Sequence, residues 1–297
     1  MSNEVVLSIR HLSKWYGATR GIEDVSFDVY KGEVFGFLGP NGAGKTTTIR
    51  TLLGLVKPSG GSATILGVNA FDHQLELRKR IGYLPGLAST YNNYTARGYL
   101  RFIAKMRGMN LDSEIESYGS RLKLDLDIHI HDLSKGNKQK VSVIQAFMHK
   151  PEVLFLDEPT SGLDPLVQRE FEVILDETKA RGASVVLSSH VLSEVEHLAG
   201  RVAIINRGKI VLVDEISRLK SRAVRKIEFA FGRDVKPEEV ADIPSVTVLD
   251  SSHHRLLLEI KGSEQLLMKK VVELGATEVR THESTLEEIF IELVGAQ

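Results

Sequence analysis

No cysteine occurs among the 297 residues, which rules out disulfides and thiolate metal sites while saying little about compartment. Long apolar runs are missing too: the longest, such as residues 52–56 and 202–205, fall far short of the ~18 needed to cross a bilayer. The opening Met1-Ser2-Asn3-Glu4 has no signal-peptide character, so a soluble, cytoplasmic chain is expected. Charge of one sign is not in excess. With 38 basic and 39 acidic residues the net is −1, which gives no bulk electrostatic reason for a nucleic-acid or anionic-membrane surface, although local patches stay open. Low-complexity segments and solenoid-period repeats are absent as well. Single cores rarely keep growing beyond about 250–300 residues, so a main domain with a smaller companion is expected.

What is present begins with Gly39-Pro40-Asn41-Gly42-Ala43-Gly44-Lys45-Thr46, which fits the phosphate-loop spelling G-x-x-x-x-G-K-[ST]. It follows the apolar run Val34-Phe35-Gly36-Phe37-Leu38, read as a buried strand, and leads into a helical stretch. Residues without a β-carbon let consecutive backbone N–H groups converge on phosphate oxygens, and a helix start adds partial positive charge. Lys45 then offers an ammonium to the terminal phosphates, and Thr46 a hydroxyl to Mg²⁺. The chain is therefore expected to bind a nucleoside triphosphate.

Residues 5–30 alternate apolar and polar, with Val25, Phe27 and Val29 on one face, which predicts antiparallel strands. From Gly32 to Leu219 the pattern changes to short apolar runs between helical stretches. Residues 153–156, 184–187 and 202–205 suit a parallel sheet covered on both faces, and Val167, Phe171, Ile174, Leu175 and Thr178 form a helical stripe between two of them. Residues 95–150 carry no clear strand and read as an inserted helical subdomain, Tyr99, Phe102, Ile103 and Met106 keeping helical spacing. Past Leu219, strands are predicted over 226–231, 246–249, 256–260 and, more weakly, 278–281, with a helix through Leu267 and Val271. A last helix is predicted from the capping box Ser284 and Glu287 and the apolar face of Leu286, Ile289, Phe290 and Leu293. This tail reads as a small accessory α+β domain.

The run from Val153 to Leu156 ends in Asp157-Glu158. Asp157 suits a hard Mg²⁺ ion, directly or through water, and Glu158 is placed to accept a proton from an attacking water. Leu133-Ser134-Lys135-Gly136-Asn137-Lys138-Gln139 precedes this strand, Ser161-Gly162-Leu163-Asp164 follows it, and His190 comes after the next strand. In this order the five elements resemble the nucleotide-binding subunit of an ABC transporter, over roughly residues 5–219. The tail Ser284-Thr285-Leu286-Glu287-Glu288-Ile289-Phe290 is similar to ATPase subunits of exporters whose permease is a separate chain.

The resemblance implies an α/β fold, a P-loop NTPase ABC cassette with a parallel-sheet core, an antiparallel β subdomain and an inserted helical subdomain at about 87–150. The cassette would occupy residues 1–220 and an accessory α+β domain 221–297. It further implies ATP and Mg²⁺ as ligands, with Tyr16 stacking on adenine, Gly39, Asn41, Gly42, Ala43, Gly44, Lys45, Thr46 and Thr47 on the phosphates, and Thr46 and Asp157 on the metal. Glu158 and His190 take the catalytic roles, His190 sensing the terminal phosphate and steadying the water. Trp15 would point to the other face, so one ring of the pair stacks. Ser134, Gly136 and Asp164 would contact ATP held by a second, identical or related subunit. A separate membrane permease would dock on the helical subdomain near the stretch from Tyr91 to Tyr99, keeping the chain peripheral at the inner membrane face, with no nucleic-acid partner.

Three positions, in two motifs, depart from the family spelling. Gly86 follows Tyr83-Leu84-Pro85 where a glutamine touching Mg²⁺ is common, and Lys135 and Asn137 replace a glycine and a glutamine of the signature. Gly86 leaves open a catalytically weak regulatory subunit. A soluble non-transport ABC ATPase usually has two cassettes or coiled-coil arms, neither of which occurs here, and a phosphate-loop kinase would leave three of the five elements unexplained.

Overall fold

A computed structural model describes residues 4–72, 74–86, 93–222, 225–244, 246–260, 265–282, 286–287 and 289–290. The chain divides into two compact units, Met1–Glu215 and Ile216–Gln297.

In the first unit β1 (Val5–Tyr16) and β2 (Thr19–Tyr30) pair antiparallel, as their alternation predicts. β3 (Val34–Leu38) runs through the glycine-rich loop into α1 (Lys45–Leu52). β4 (Gly60–Ile65) and β5 (Val68–Asn69) rejoin the first sheet, whose order is β2-β1-β4-β5. After α2 (Gln74–Arg80) and β6 (Ile81–Leu84) come α3 (Ala96–Met106), α4 (Asp112–Arg121) and α5 (Lys135–Phe147), with no strand between them among the described residues. The unit continues with β7 (Val153–Asp157), α6 (Pro165–Ala180), β8 (Ser184–Ser189), α7 (Leu192–Leu198), β9 (Arg201–Asn206) and β10 (Lys209–Glu215).

The second sheet has the order β10-β9-β3-β8-β7-β6, parallel throughout except for the antiparallel edge strand β10. Every residue of β3, β7 and β8 is buried, which is why apolar stretches dominate these strands, with the polar residues Asp157, Ser184, Ser188 and Ser189 at their ends. Alternate side chains serve opposite faces. Leu154, Leu156, Val185 and Leu187 pack toward the helices, among them Phe171 and Ile174 of α6, whose predicted stripe is its buried face. Phe35, Phe37, Val153, Phe155 and Val186 pack on the other side with Ile49 of α1 and with the first sheet, Phe27 stacking on Phe35 at 5.0 Å between centroids. The register sets Leu38 of β3 beside Ser189 of β8, and Ser188 beside Asp157 of β7, so the carboxyl ends of three strands form one platform.

The second unit comprises α8 (Ile216–Arg222), β11 (Arg225–Phe231), α9 (Glu238–Ala241), β12 (Val246–Ser252), β13 (Arg255–Ile260), α10 (Gln265–Glu273) and β14 (Ala276–His282). Its antiparallel sheet, β12-β13-β11-β14, buries Ile227, Phe229, Leu256 and Leu258 against Leu267 and Val271 of α10. Leu286 and Glu287 are helical, as are Ile289 and Phe290, whereas Ser284 and Leu293 of the predicted last helix lie outside the described residues.

Candidate functional site

The glycine-rich loop leaves β3 at the platform. Gly39 N–H donates to the Ser189 carbonyl at 3.4 Å, and Ala43 N–H closes a turn on the Pro40 carbonyl at 3.1 Å. Gly44 occupies the N-cap of α1 at φ 113°, a backbone conformation that side chains rarely adopt, and no side chain caps the helix. The first N–H groups of α1 thus lack the side-chain acceptor that usually serves them, as an anion-binding helix start requires. Asn41 and Gly42 are exposed, Ala43 is buried, and Thr46 and Thr47 are half-buried on the first turn.

Lys45 is 6% exposed at its side chain, and its Nζ donates to the Gly39 carbonyl at 2.6 Å. Burial pushes the Lys45 pKa down, against the pull of the nearby Glu158 and Asp157 carboxylates. At the end of β7, Asp157 is buried with both oxygens engaged, Oδ2 accepting from Thr46 Oγ1 at 2.7 Å and Oδ1 from Ser188 Oγ at 2.7 Å. Glu158 turns into the left-handed region at φ 50°, where its Oε1 lies 3.6 Å from Lys45 Nζ and its Oε2 shares a 2.7 Å hydrogen bond with His190 Nδ1. Lys45, Thr46, Asp157, Glu158 and His190 are therefore brought into one connected cluster.

Tyr16 ends β1 half exposed, and a β-carbon added to Gly21 would meet its ring at 3.0 Å and Thr47 Cγ2 at 3.2 Å. The absent side chain of Gly21 thus admits the Tyr16 ring beside the first turn of α1. Trp15 is also exposed at the strand end. Ser134, Gly136 and Asp164 gather elsewhere. Ser134 Oγ caps α5 by accepting from Asn137 N–H, Asp164 caps α6 by accepting from Leu166 and Val167, and a β-carbon on Gly136 would lie 2.6 Å from the Gly162 carbonyl. Among the described residues no hydrogen bond ties these three to the phosphate loop. A link between the two clusters comes from Gln139, buried on α5, whose Nε2 donates to the Pro159 carbonyl at 3.0 Å. Gln139 and Ser188 were not singled out in the sequence; Gln139 closes the element that began at Leu133, which was the available signal.

A β-carbon at Gly86 would sit 3.4 Å from Asp157 Oδ2, so position 86 adjoins the acidic strand end without itself supplying a ligand. At the end of the stretch 91–99 expected near a docking surface, Tyr99 is buried and its hydroxyl donates to Gln145 Oε1 at 2.7 Å. Tyr91 lies outside the described residues.

A family model described as "ABC transporter" matches residues 22–161. A bacitracin transport ATP-binding protein of Bacillus licheniformis is 35% identical over 301 residues, covering 98% of this chain and 97% of that protein. An uncharacterized ABC transporter ATP-binding protein of Bacillus subtilis (strain 168) is 34% identical over 311 residues, again covering 98% and 97%. Among solved structures, an ATP-binding subunit of an ABC transporter superposes with a TM-score of 0.68 at 32% identity, covering 73% of this chain and 92% of its own. A dimeric ATP-binding cassette in a post-hydrolysis state with ADP and phosphate shares the fold, with a TM-score of 0.66 at 19% identity, covering 71% and 98%.

Proposed function

The chain belongs to the family of ATP-binding subunits of ABC transporters, ATPases that power transport, and from that premise we propose how its residues bind and cleave ATP. The carrying observation is the meeting of three groups at the ends of β3, β7 and β8: the glycine-rich loop, the Thr46–Asp157 pair and the Glu158–His190 pair. Residues 39–47 hold the phosphates through backbone N–H groups and Lys45, and Tyr16 stacks on the adenine. Thr46 and Asp157 hold Mg²⁺. The fit lies in the donor set, a hydroxyl and a carboxylate oxygen already 2.7 Å apart. Phosphates and water complete such a shell, the usual manner of Mg²⁺ in nucleotide sites. When bound, the ion offsets negative charge on the phosphate oxygens. Glu158 accepts a proton as water oxygen bonds to the γ-phosphorus and the bond to the leaving ADP oxygen breaks. His190, hydrogen-bonded to Glu158, steadies the water and senses the terminal phosphate.

Ser134, Gly136 and Asp164 serve the nucleotide of a second subunit, identical or related, so that two triphosphates are enclosed between two chains. That none of the hydrogen bonds of the described residues ties them to this chain's own phosphate loop supports that reading. A membrane permease, on a separate polypeptide, docks at an apolar groove of about 520 Å³ whose lining includes Leu53, Leu55, Leu75, Ile103 and Met106. Leu75 and Met106 are 78% and 71% exposed, and no helix among the described residues is long and apolar enough to cross a membrane. The chain then works at the inner membrane face, and the transport direction is export. The weak regulatory reading rests on Gly86 alone, whereas every proposed catalytic group is present and in contact. Light scattering of Glu158→Gln saturated with Mg·ATP tests the assembly: the mass should double over the nucleotide-free sample, and a monomer at high concentration would refute the paired arrangement.

A further inference from the structure

Glu194 is a carboxylate with no part in the chemistry above, and it joins the two segments that carry that chemistry. It sits on α7, four residues after His190, half-buried. Its Oε1 accepts from Thr160 Oγ1 at 2.8 Å, two residues beyond Glu158, and its Oε2 accepts from Ser189 Oγ at 2.5 Å, next to His190. Both attachments are themselves tied to functional backbone. Ser189 Oγ also accepts from Val191 N–H at 3.0 Å, so the turn around His190 is closed on the same hydroxyl. The Thr160 carbonyl accepts from Leu163 N–H at 3.0 Å, and the Glu158 carbonyl accepts from Ser161 N–H, which shapes the turn that ends at Asp164.

We infer that Glu194 is a positioning residue, a clasp between Thr160 and Ser189 that fixes His190 against Glu158 and sets the turn leading to Asp164. Its seat does not depend on the clasp itself. The neighbouring Val195 packs on β3 at Gly36, where an added β-carbon would lie only 2.4 Å from Val195 Cγ1, so α7 is held on the central strand by packing. Burial raises the Glu194 pKa while the two hydroxyls lower it, as befits a carboxylate drawn from water to serve two donors. Two acceptor oxygens suit two hydroxyl donors at once. A carboxamide can rebuild the same bridge by accepting at one end and donating at the other, because each hydroxyl can also accept. Geometry, and not charge, is then what the site requires.

The inference rests on the roles proposed for Glu158 and His190, and steady-state turnover of Mg·ATP by the full chain separates the two. With Glu158→Gln as the inactive control, Glu194→Ala should lose about tenfold or more in kcat, with KM for ATP within about twofold of wild type, because misplacement of reacting groups acts on turnover more than on binding. Glu194→Gln should recover to within about threefold of wild type. Thr160→Val, which removes one hydroxyl and keeps the side-chain shape, should lower kcat in the same direction, and the Thr160→Val, Glu194→Ala double variant should be no slower than Glu194→Ala. A wild-type kcat in Thr160→Val or in folded Glu194→Ala would overturn the clasp, as would additive losses in the double variant. Full activity in Glu158→Gln would instead count against the assignment of the base.

Discussion

Glu158→Gln removes one property from the site and little else. The amide is close to the carboxylate in volume, so neither the left-handed turn at φ 50° nor the packing beside Lys45 has cause to change, and His190 Nδ1 keeps an oxygen acceptor where it now finds Oε2 at 2.7 Å. What disappears is the ability to take a proton. General bases contribute about 10²- to 10⁴-fold, or roughly 3–5 kcal/mol of barrier, and that is the expected loss in the chemical step. Nucleotide affinity should hold or rise, because Lys45 loses a carboxylate 3.6 Å from its ammonium and gives more of its charge to phosphate. Single-turnover phosphate release measures the first effect and equilibrium nucleotide titration the second. Release within about threefold of wild type would remove Glu158 from the role of base.

Two other perturbations are as direct. Gly86→Gln fits sterically, since a β-carbon there meets Asp157 at an ordinary 3.4 Å, and it should lower the Mg²⁺ needed for half-maximal turnover by about two- to tenfold, the value of one net hydrogen bond; an unchanged Mg²⁺ requirement would show that the glycine costs no metal affinity. His149 is buried with Nε2–H donating to the Ile81 carbonyl, and burial, helped by Arg107, pulls its pKa down to about 4 from 6.5. Below pH 6.5 the unfolded chain takes a proton that the folded chain refuses, so this contribution to stability is complete above 6.5 and declines as pH falls toward about 4. His149→Gln keeps a donor without a titration, so its melting temperature should fall less steeply over that range; parallel slopes would refute the assignment.

Much of this could be read in the sequence because the buried strands obey a simple rule. A strand covered on both faces is apolar along most of its length, so the apolar stretches of β3, β7 and β8 stood out, and the stripe of α6 followed from helical spacing. β6 and β10 did not stand out. Ile81-Gly82-Tyr83-Leu84 is only four residues with a glycine inside, and β10 is half-buried along most of its length, so neither carries enough periodicity to be told from a loop. The phosphate loop was legible because its glycines and Lys45 are bound to fixed spacing. Gln139, Ser188 and Glu194 were not, because their partners lie on other elements, and the Glu194 bridge to Thr160 spans 34 positions that only the fold brings together.

The strand rule also explains why the site could not be completed from sequence. Along β7, Phe155 faces α1 and Leu156 faces the helices on the other side, so Asp157 returns to the α1 side and meets Thr46. If the strand simply continued, Glu158 would point away from the phosphate loop and into the opposite layer. The positive φ at Glu158 breaks the alternation and turns its carboxylate back toward Lys45 and His190. For a residue with a side chain that conformation costs about 1–3 kcal/mol, and it persists where surrounding bonds over-determine it. Here Glu158 N–H donates to the Ser188 carbonyl at 2.9 Å, and Gln139 holds the next carbonyl, that of Pro159, at 3.0 Å. Adjacent carboxylates thus reach the same side of the sheet for separate tasks because α5 and β8 together hold one residue out of its preferred backbone.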